Sequence, residues 1–181
     1  MNQNEIIKSA ISGDKEAFRM LISILRPTIE KTVFGMLGQC PEAEDIGQET
    51  FIKLYHSLDK FRFESNLKTY VTRIAINLSL NELKKRKRRT NLFESNVNIT
   101  EISNNIEFDN QTEFMDRIKW ALKKLSNKHR PVIVLRFIDG YSLKETAEIL
   151  EIPVGTVLSR TSRALQYLKD IINMENINEK Y

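Results

Sequence analysis

Residues 61–89 read FRFESNLKTYVTRIAINLSLNELKKRKRR, placing an aromatic loop, an amphipathic segment and six consecutive cations in one continuous stretch. Leu67, Tyr70, Val71, Ile74, Ala75 and Leu78 recur at steps of three and four. That is the period of a helix with one apolar stripe, and such a stripe must be buried against other helices. Arg73, Asn77 and Asn81 follow one another at i, i+4 and i+8 beside it and so share a face. An asparagine amide both donates and accepts, which suits it to reading base edges, whereas Lys and Arg attract phosphate without regard to sequence. Lys84, Lys85, Arg86, Lys87, Arg88 and Arg89 supply that attraction. The stretch predicts contact with nucleic acid. Its alternative is a basic face that is merely solvated.

Charge is unevenly spread along the 181 residues behind the net +4. Lys and Arg outnumber Asp and Glu by 16 to 11 over residues 1–89, and the surplus comes from the run at 84–89. Residues 90–113 hold no Lys or Arg and five carboxylates, and residues 114–170 return to 11 cations against 6 anions. Two basic modules flanking an acidic strap are the natural reading of this partition. The length fits two small domains, 1–89 and 114–175, joined by a linker at 90–113. The linker is rich in Asn and lacks a sustained period, so a mobile tether and a docked strap both remain open.

Cys40 stands alone and excludes an intramolecular disulfide, and the absence of a thiol cluster argues against a structural zinc site. No apolar run approaches the roughly 20 residues that span a bilayer, and the N-terminus lacks a signal pattern. A cytoplasmic protein without membrane insertion is expected. His56 and His129 lie far apart and no glycine-rich phosphate loop is present, so neither an enzyme nor a cofactor site is expected.

Gly and Pro are sparse, and nearly every periodic segment reads as helix, giving an all-α fold. Asp14 is an expected N-cap, Pro27 an expected end or kink, and Pro41 the expected first turn of a helix with Ala43, Ile46, Thr50, Phe51, Leu54 and Leu58 inward. Asp45, Gln48 and Glu49 then face away. Farther on, Ser142-Leu-Lys-Glu145 is a capping-box pattern, Glu151-Ile152-Pro153 a turn, and a last helix starts near Pro153. That helix should place Val157, Thr161, Ala164, Leu165 and Leu168 inward and Thr156, Ser159, Ser162, Arg163 and Gln166 outward. Two helices across a tight turn, the second bearing small polar residues and arginine, match a helix-turn-helix; a plain helix pair is the alternative. Lys123, Lys124, Lys128 and Arg130 would add a phosphate-facing rim.

With both modules in view the chain closely resembles the extracytoplasmic-function (ECF) sigma factors, group 4 of the sigma-70 family, the promoter-specificity subunits of bacterial RNA polymerase. Ala43 to Tyr55, AEDIGQETFIKLY, is similar to the family's polymerase-binding helix, residues 61–77 to its downstream-element reader, and residues 135–165 to its upstream-element reader. The resemblance implies a sigma region 2 domain and a region 4 helix-turn-helix reading −10 and −35 type elements. It implies binding to the clamp coiled coil of core polymerase around Asp45, Gln48, Glu49 and Phe51, and to the flap. Downstream readers would be Asn77 and Asn81, with Phe61, Arg62, Phe63, Glu64, Ser65 and Asn66 forming a pocket for a base turned out of the duplex. Upstream contacts would fall on Leu158, Ser159, Ser162 and Arg163, with Arg160 nearer the apolar flank. Promoter DNA, duplex and single-stranded, and an anti-sigma factor are the other implied partners, and the strap would enter a channel built for polyanions. Phe63 and Glu151 stand where the family commonly has Gly, Leu158 where it usually has Lys or Arg, and Thr161 in an apolar slot. Gly47, Leu67 and Tyr70 also depart from the usual residues. A stand-alone helix-turn-helix regulator is the competing function.

Overall fold

The computed structural model describes residues 3–61, 63, 65–94 and 110–178. Among these there is no strand. Eight α-helices follow in order: α1 Gln3–Ile11, α2 Lys15–Leu37, α3 Pro41–Ser57, α4 Leu67–Glu94, α5 Asn110–Lys124, α6 Arg130–Ile133, α7 Leu143–Leu150 and α8 Val154–Asn178. A 3-10 turn at Leu58–Lys60 leads out of α3, and a π turn at Val134–Ile138 extends α6. The segment 95–109, which holds most of the acidic strap, lies outside the described residues, as do Arg62 and Glu64.

Local chemistry sets most of the helix ends. Asp14 caps α2 by accepting from the N–H groups of Glu16 and Ala17 at 2.9 and 3.2 Å. Ser142 and Glu145 form a reciprocal capping box at α7, satisfying donors that a bare helix end would leave unpaired. Ser126 does not cap α6; its carbonyl instead accepts from His129 and Arg130 in the preceding turn.

Pro27 neither ends nor interrupts α2, which runs through it to Leu37. A proline strips the hydrogen bond from the carbonyl four residues back. Here that residue is Ser23, which is exposed like Pro27 itself, so the carbonyl that loses its donor sits on the solvent side of the helix rather than in the core. The two apolar patterns read on either side of Pro27 therefore belong to one buried stripe containing Leu21, Leu25, Ile29, Val33, Met36 and Leu37.

The main core joins α1–α4 through Ile7, Leu21, Ile29, Leu54, Leu67, Val71 and Ile76. Val134, Leu135, Tyr141 and Ile149, from the second half of the chain, belong to the same cluster. A second cluster of Leu122, Leu125, Val132, Ile133, Ala147, Val157 and Ala164 packs α5–α8. The two helical modules thus meet directly, α4 against α7 and α2 against both α5 and the π turn.

Candidate nucleic-acid interface

The loop ahead of α4 is held from inside. Phe61 is buried, with its ring 5.0 Å from that of Phe63 and 5.4 Å from that of Tyr70, centre to centre. Phe63 is 44% exposed and has φ of 57°. A residue with a Cβ rarely adopts this left-handed conformation, which is the physical reason glycine suits the position. The geometry gives the loop one exposed ring, Phe63, on a buried pedestal, Phe61. Asn66 accepts from the N–H of Lys68 at 2.9 Å and starts α4.

Along α4 the stripe Leu67, Val71, Ala75 and Leu78 is buried, while Asn77 and Asn81 are exposed on one face. Arg73 starts that face but is engaged elsewhere: its guanidinium donates to the Glu151 carboxylate and to the Glu148 carbonyl, both at 3.0 Å. In the cationic run Lys84, Lys85, Lys87, Arg88 and Arg89 are exposed. Arg86 departs from them. It donates to the Leu37 carbonyl, to Cys40 Sγ and to Glu42, and lies 3.5 Å from Glu82, tying α4 to the α2–α3 turn.

Asp45, Gln48 and Glu49 are exposed on α3, whereas Phe51 is buried in the core and offers no free surface. The exposed apolar residues on this helix are Ile52 and Tyr55. A groove of about 470 Å³ separates the outer edge of α3 from α4, lined by Ile46, Glu49, Lys53, Leu78, Asn81, Lys84, Lys85 and Arg88. Lys53 was not singled out from the sequence, although it sits one turn beyond Glu49 on the same exposed face and pairs with it at 3.4 Å.

In α8, Leu158, Ser159, Ser162, Arg163 and Gln166 are exposed, Thr156 and Arg160 half-buried, and Val157 and Ala164 buried. Leu165, expected inward, is 44% exposed. Thr161 fits its apolar slot because its hydroxyl donates to the Val157 carbonyl one turn back, at 2.7 Å. Burial, and then the charges of Arg160, Arg163 and Lys128, hold His129 below the usual histidine range, which marks a positive field on this side of α8. Arg130 is not part of a phosphate-facing rim: it is buried and donates to the carbonyls of Met36, Lys123 and Leu125.

Residues 21–89 match the sigma-70 region 2 family, and residues 121–170 match sigma-70 region 4. The chain is 37% identical over 174 residues to the ECF RNA polymerase sigma factor SigW of Bacillus subtilis (strain 168), covering 90% of this chain and 92% of that protein. The chain belongs to the ECF RNA polymerase sigma factors. This sigma factor is also 33% identical over 171 residues to the ECF RNA polymerase sigma-E factor of Escherichia coli (strain K12), covering 88% of each chain. Among solved structures, the sigma factor RpoE in complex with the anti-sigma factor NepR from Bartonella quintana matches with a TM-score of 0.68 and 25% identity over 86% of this chain and 96% of that one. The fold is shared as well with CnrH in complex with the cytosolic domain of CnrY, at a TM-score of 0.70 and 22% identity over 93% and 96% of the two chains. As a member of the family, this sigma factor binds core RNA polymerase and directs promoter-specific transcription initiation. No helix among the described residues is long and apolar enough to cross a membrane.

Proposed function

We propose that residues 1–89 dock on the clamp coiled coil of core polymerase and read and open the downstream element, and that residues 114–175 read the upstream element beside the flap. The observation that carries this reading is the shared exposed face of Asn77 and Asn81, with Phe63 before it and the cations of residues 84–89 beyond it. Asn77 and Asn81 select bases, and the exposed ring of Phe63 receives a base taken out of the stack. Aromatic stacking returns about 1–3 kcal/mol of the few kcal/mol that unstacking costs. Asp45, Gln48 and Glu49 form the polymerase contact, with Phe51 supporting them from the core. Ser159, Ser162, Arg163 and Gln166 face the major groove, and Leu158 supplies an apolar contact to a base edge. The polymerase sets the cytoplasm as its place of work, and an anti-sigma factor is its proposed antagonist, supported by the RpoE–NepR complex.

Run-off transcription with purified core polymerase and a promoter library tests this reading. Asn77→Ala and Asn81→Ala are expected to change the preferred downstream bases, each contact discriminating by about 1–3 kcal/mol. A uniform loss on all promoters would deny them the reader role. The double change Lys84→Gln, Lys87→Gln should weaken binding evenly across sequences and reduce the slope of log affinity against log salt by roughly 1.5. An unchanged slope would remove both lysines from the phosphate contacts. Tight duplex binding without core polymerase would favour a stand-alone regulator instead.

A further inference from the structure

A histidine sits inside the cationic edge of region 4. His129 is half-buried where the turn after α5 meets α8, with its ring 5.3 Å from that of Tyr167 and its Nδ1 3.1 Å from the Ser126 hydroxyl. Its Nε2 has no hydrogen-bond partner among the described residues. Lys128 and Arg163 are exposed and Arg160 is half-buried, and among the described residues none of the three is paired with a carboxylate. Asp170, farther along α8, accepts instead from Gln166 at 2.9 Å.

The helical register says what this group of side chains faces. Arg160, Arg163 and Tyr167 follow one another at i, i+3 and i+7, each one residue beyond Ser159, Ser162 and Gln166. Their face is therefore turned by about 100° from the face of those three residues. A helix about 10–12 Å across fills a major groove about 12 Å wide, so when one face meets base edges the face beside it meets a wall of phosphates. Packing on Tyr167 brings His129, and Lys128 with it, to that wall.

The electrostatics point the same way. Burial, and then Arg160, Arg163 and Lys128, hold the His129 pKa below its ordinary value, so the ring is uncharged near neutral pH. Cations gathered without a counter-charge repel one another. A phosphate among them removes that repulsion, and it favours the imidazolium, whose second N–H makes a charge-assisted hydrogen bond.

We propose that Lys128, His129 and Arg160 hold one backbone phosphate of the upstream duplex, with Arg163 beside them, and that His129 takes a proton from solvent as that phosphate arrives. The proton returns to solvent on release. The sign follows from linkage: the phosphate raises the pKa of the ring in the complex above that of the free protein, so affinity is gained as pH falls between the two values and lost as it rises through the higher one. The inference rests on the reading of α8 as the upstream-element contact.

Holoenzyme assembled from the full-length chain and core polymerase is titrated onto a duplex promoter at pH 6 and pH 8, with the parent and with His129→Gln, and again with the upstream element scrambled. The ratio of affinities at pH 6 and pH 8 is expected to be roughly fivefold larger for the parent than for the variant, a comparison that cancels groups of core polymerase titrating in the same range. In the parent the slope of log affinity against log salt should steepen by about 0.9 between pH 8 and pH 6, and in the variant it should not. A histidine that only packs would shift the affinities and leave both dependences alike, so equal pH ratios would overturn the proposal. So would a ring already half charged above pH 7 in the free chain, read by NMR of the parent, in which His56 gives the one other histidine signal. Scrambling that leaves affinity unchanged at both pH values would sink the reading of α8, whereas a scrambling penalty with equal pH ratios would sink only the proton-linked site.

Discussion

Arg130→Met is expected to lower the free energy of unfolding by about 3 kcal/mol in denaturant titration at neutral pH. The arginine is buried, and its guanidinium donates to the Met36 carbonyl at 2.7 Å, to the Leu125 carbonyl at 3.1 Å and to the Lys123 carbonyl. Met36 lies in the last turn of α2, and Lys123 in the last turn of α5. The final carbonyls of a helix have no partner within it and carry the negative end of its dipole. One cation therefore caps two helix C-termini from different modules. Burial pushes the Arg130 pKa down, which measures the cost of keeping this charge inside; three carbonyl acceptors offset it. Methionine keeps the apolar stem and leaves those carbonyls buried and bare, each at a cost of about 1–3 kcal/mol less what water can recover. Lys128→Ala, two residues away and exposed, should change stability by less than about 0.5 kcal/mol. A loss below about 1 kcal/mol in Arg130→Met would show that the carbonyls are hydrated and the cap dispensable.

Arg130 also marks the limit of what the amino-acid order reveals. In the sequence it is one cation among Lys123, Lys124 and Lys128, and nothing in its neighbourhood says that its partner lies 94 residues away. Arg86 is the same case inside the run 84–89, diverted to the α2–α3 turn while its neighbours face solvent. Periodicity was informative where a residue's environment is set by its own helix. It placed the buried stripe of α4 and the exposed Asn77 and Asn81, and Ser142 with Glu145 announced the start of α7. It was silent on contacts made at long range. The likeness to a family assigned Phe51 a polymerase contact and Phe61 a place in a base pocket, and both rings are held in the core. For Phe51 the helical stripe already pointed inward, and only the likeness to a family pointed outward. The π turn at Val134–Ile138 has no sequence signal of its own; it lets Asp139 and Tyr141 reach α2 and α4. Two modules were legible, but their docking was not, because the seam is made of single residues each read more simply in its own segment.

Asp139→Asn should stabilise the protein, and only above a certain pH. Burial raises the Asp139 carboxyl from 3.8 to about 6, against the opposing pull of Thr32 and of the Lys31 and Lys68 charges. The hydrogen bonds support the neutral form independently. Thr32 has one hydroxyl proton and two acceptors in reach, the Thr28 carbonyl at 2.9 Å and Asp139 at 2.8 Å. When that proton goes to Thr28, the second contact is favourable only if a protonated Asp139 donates it. Because the folded pKa lies above the unfolded one, the stabilisation from this group is fully present below about pH 4 and is lost as pH rises through 6. Above that the buried carboxylate costs about 3 kcal/mol relative to its neutral form. Asparagine reproduces the neutral acid, since its amide can donate to Thr32 without a charge. The variant should therefore exceed the parent by up to about 3 kcal/mol at pH 8, with the difference shrinking toward zero near pH 4. Parallel denaturant titrations at the two pH values decide it. A pH-independent difference would assign the effect to packing, and a loss of stability at pH 8 would mean that Lys31 and Lys68 hold Asp139 ionised in place.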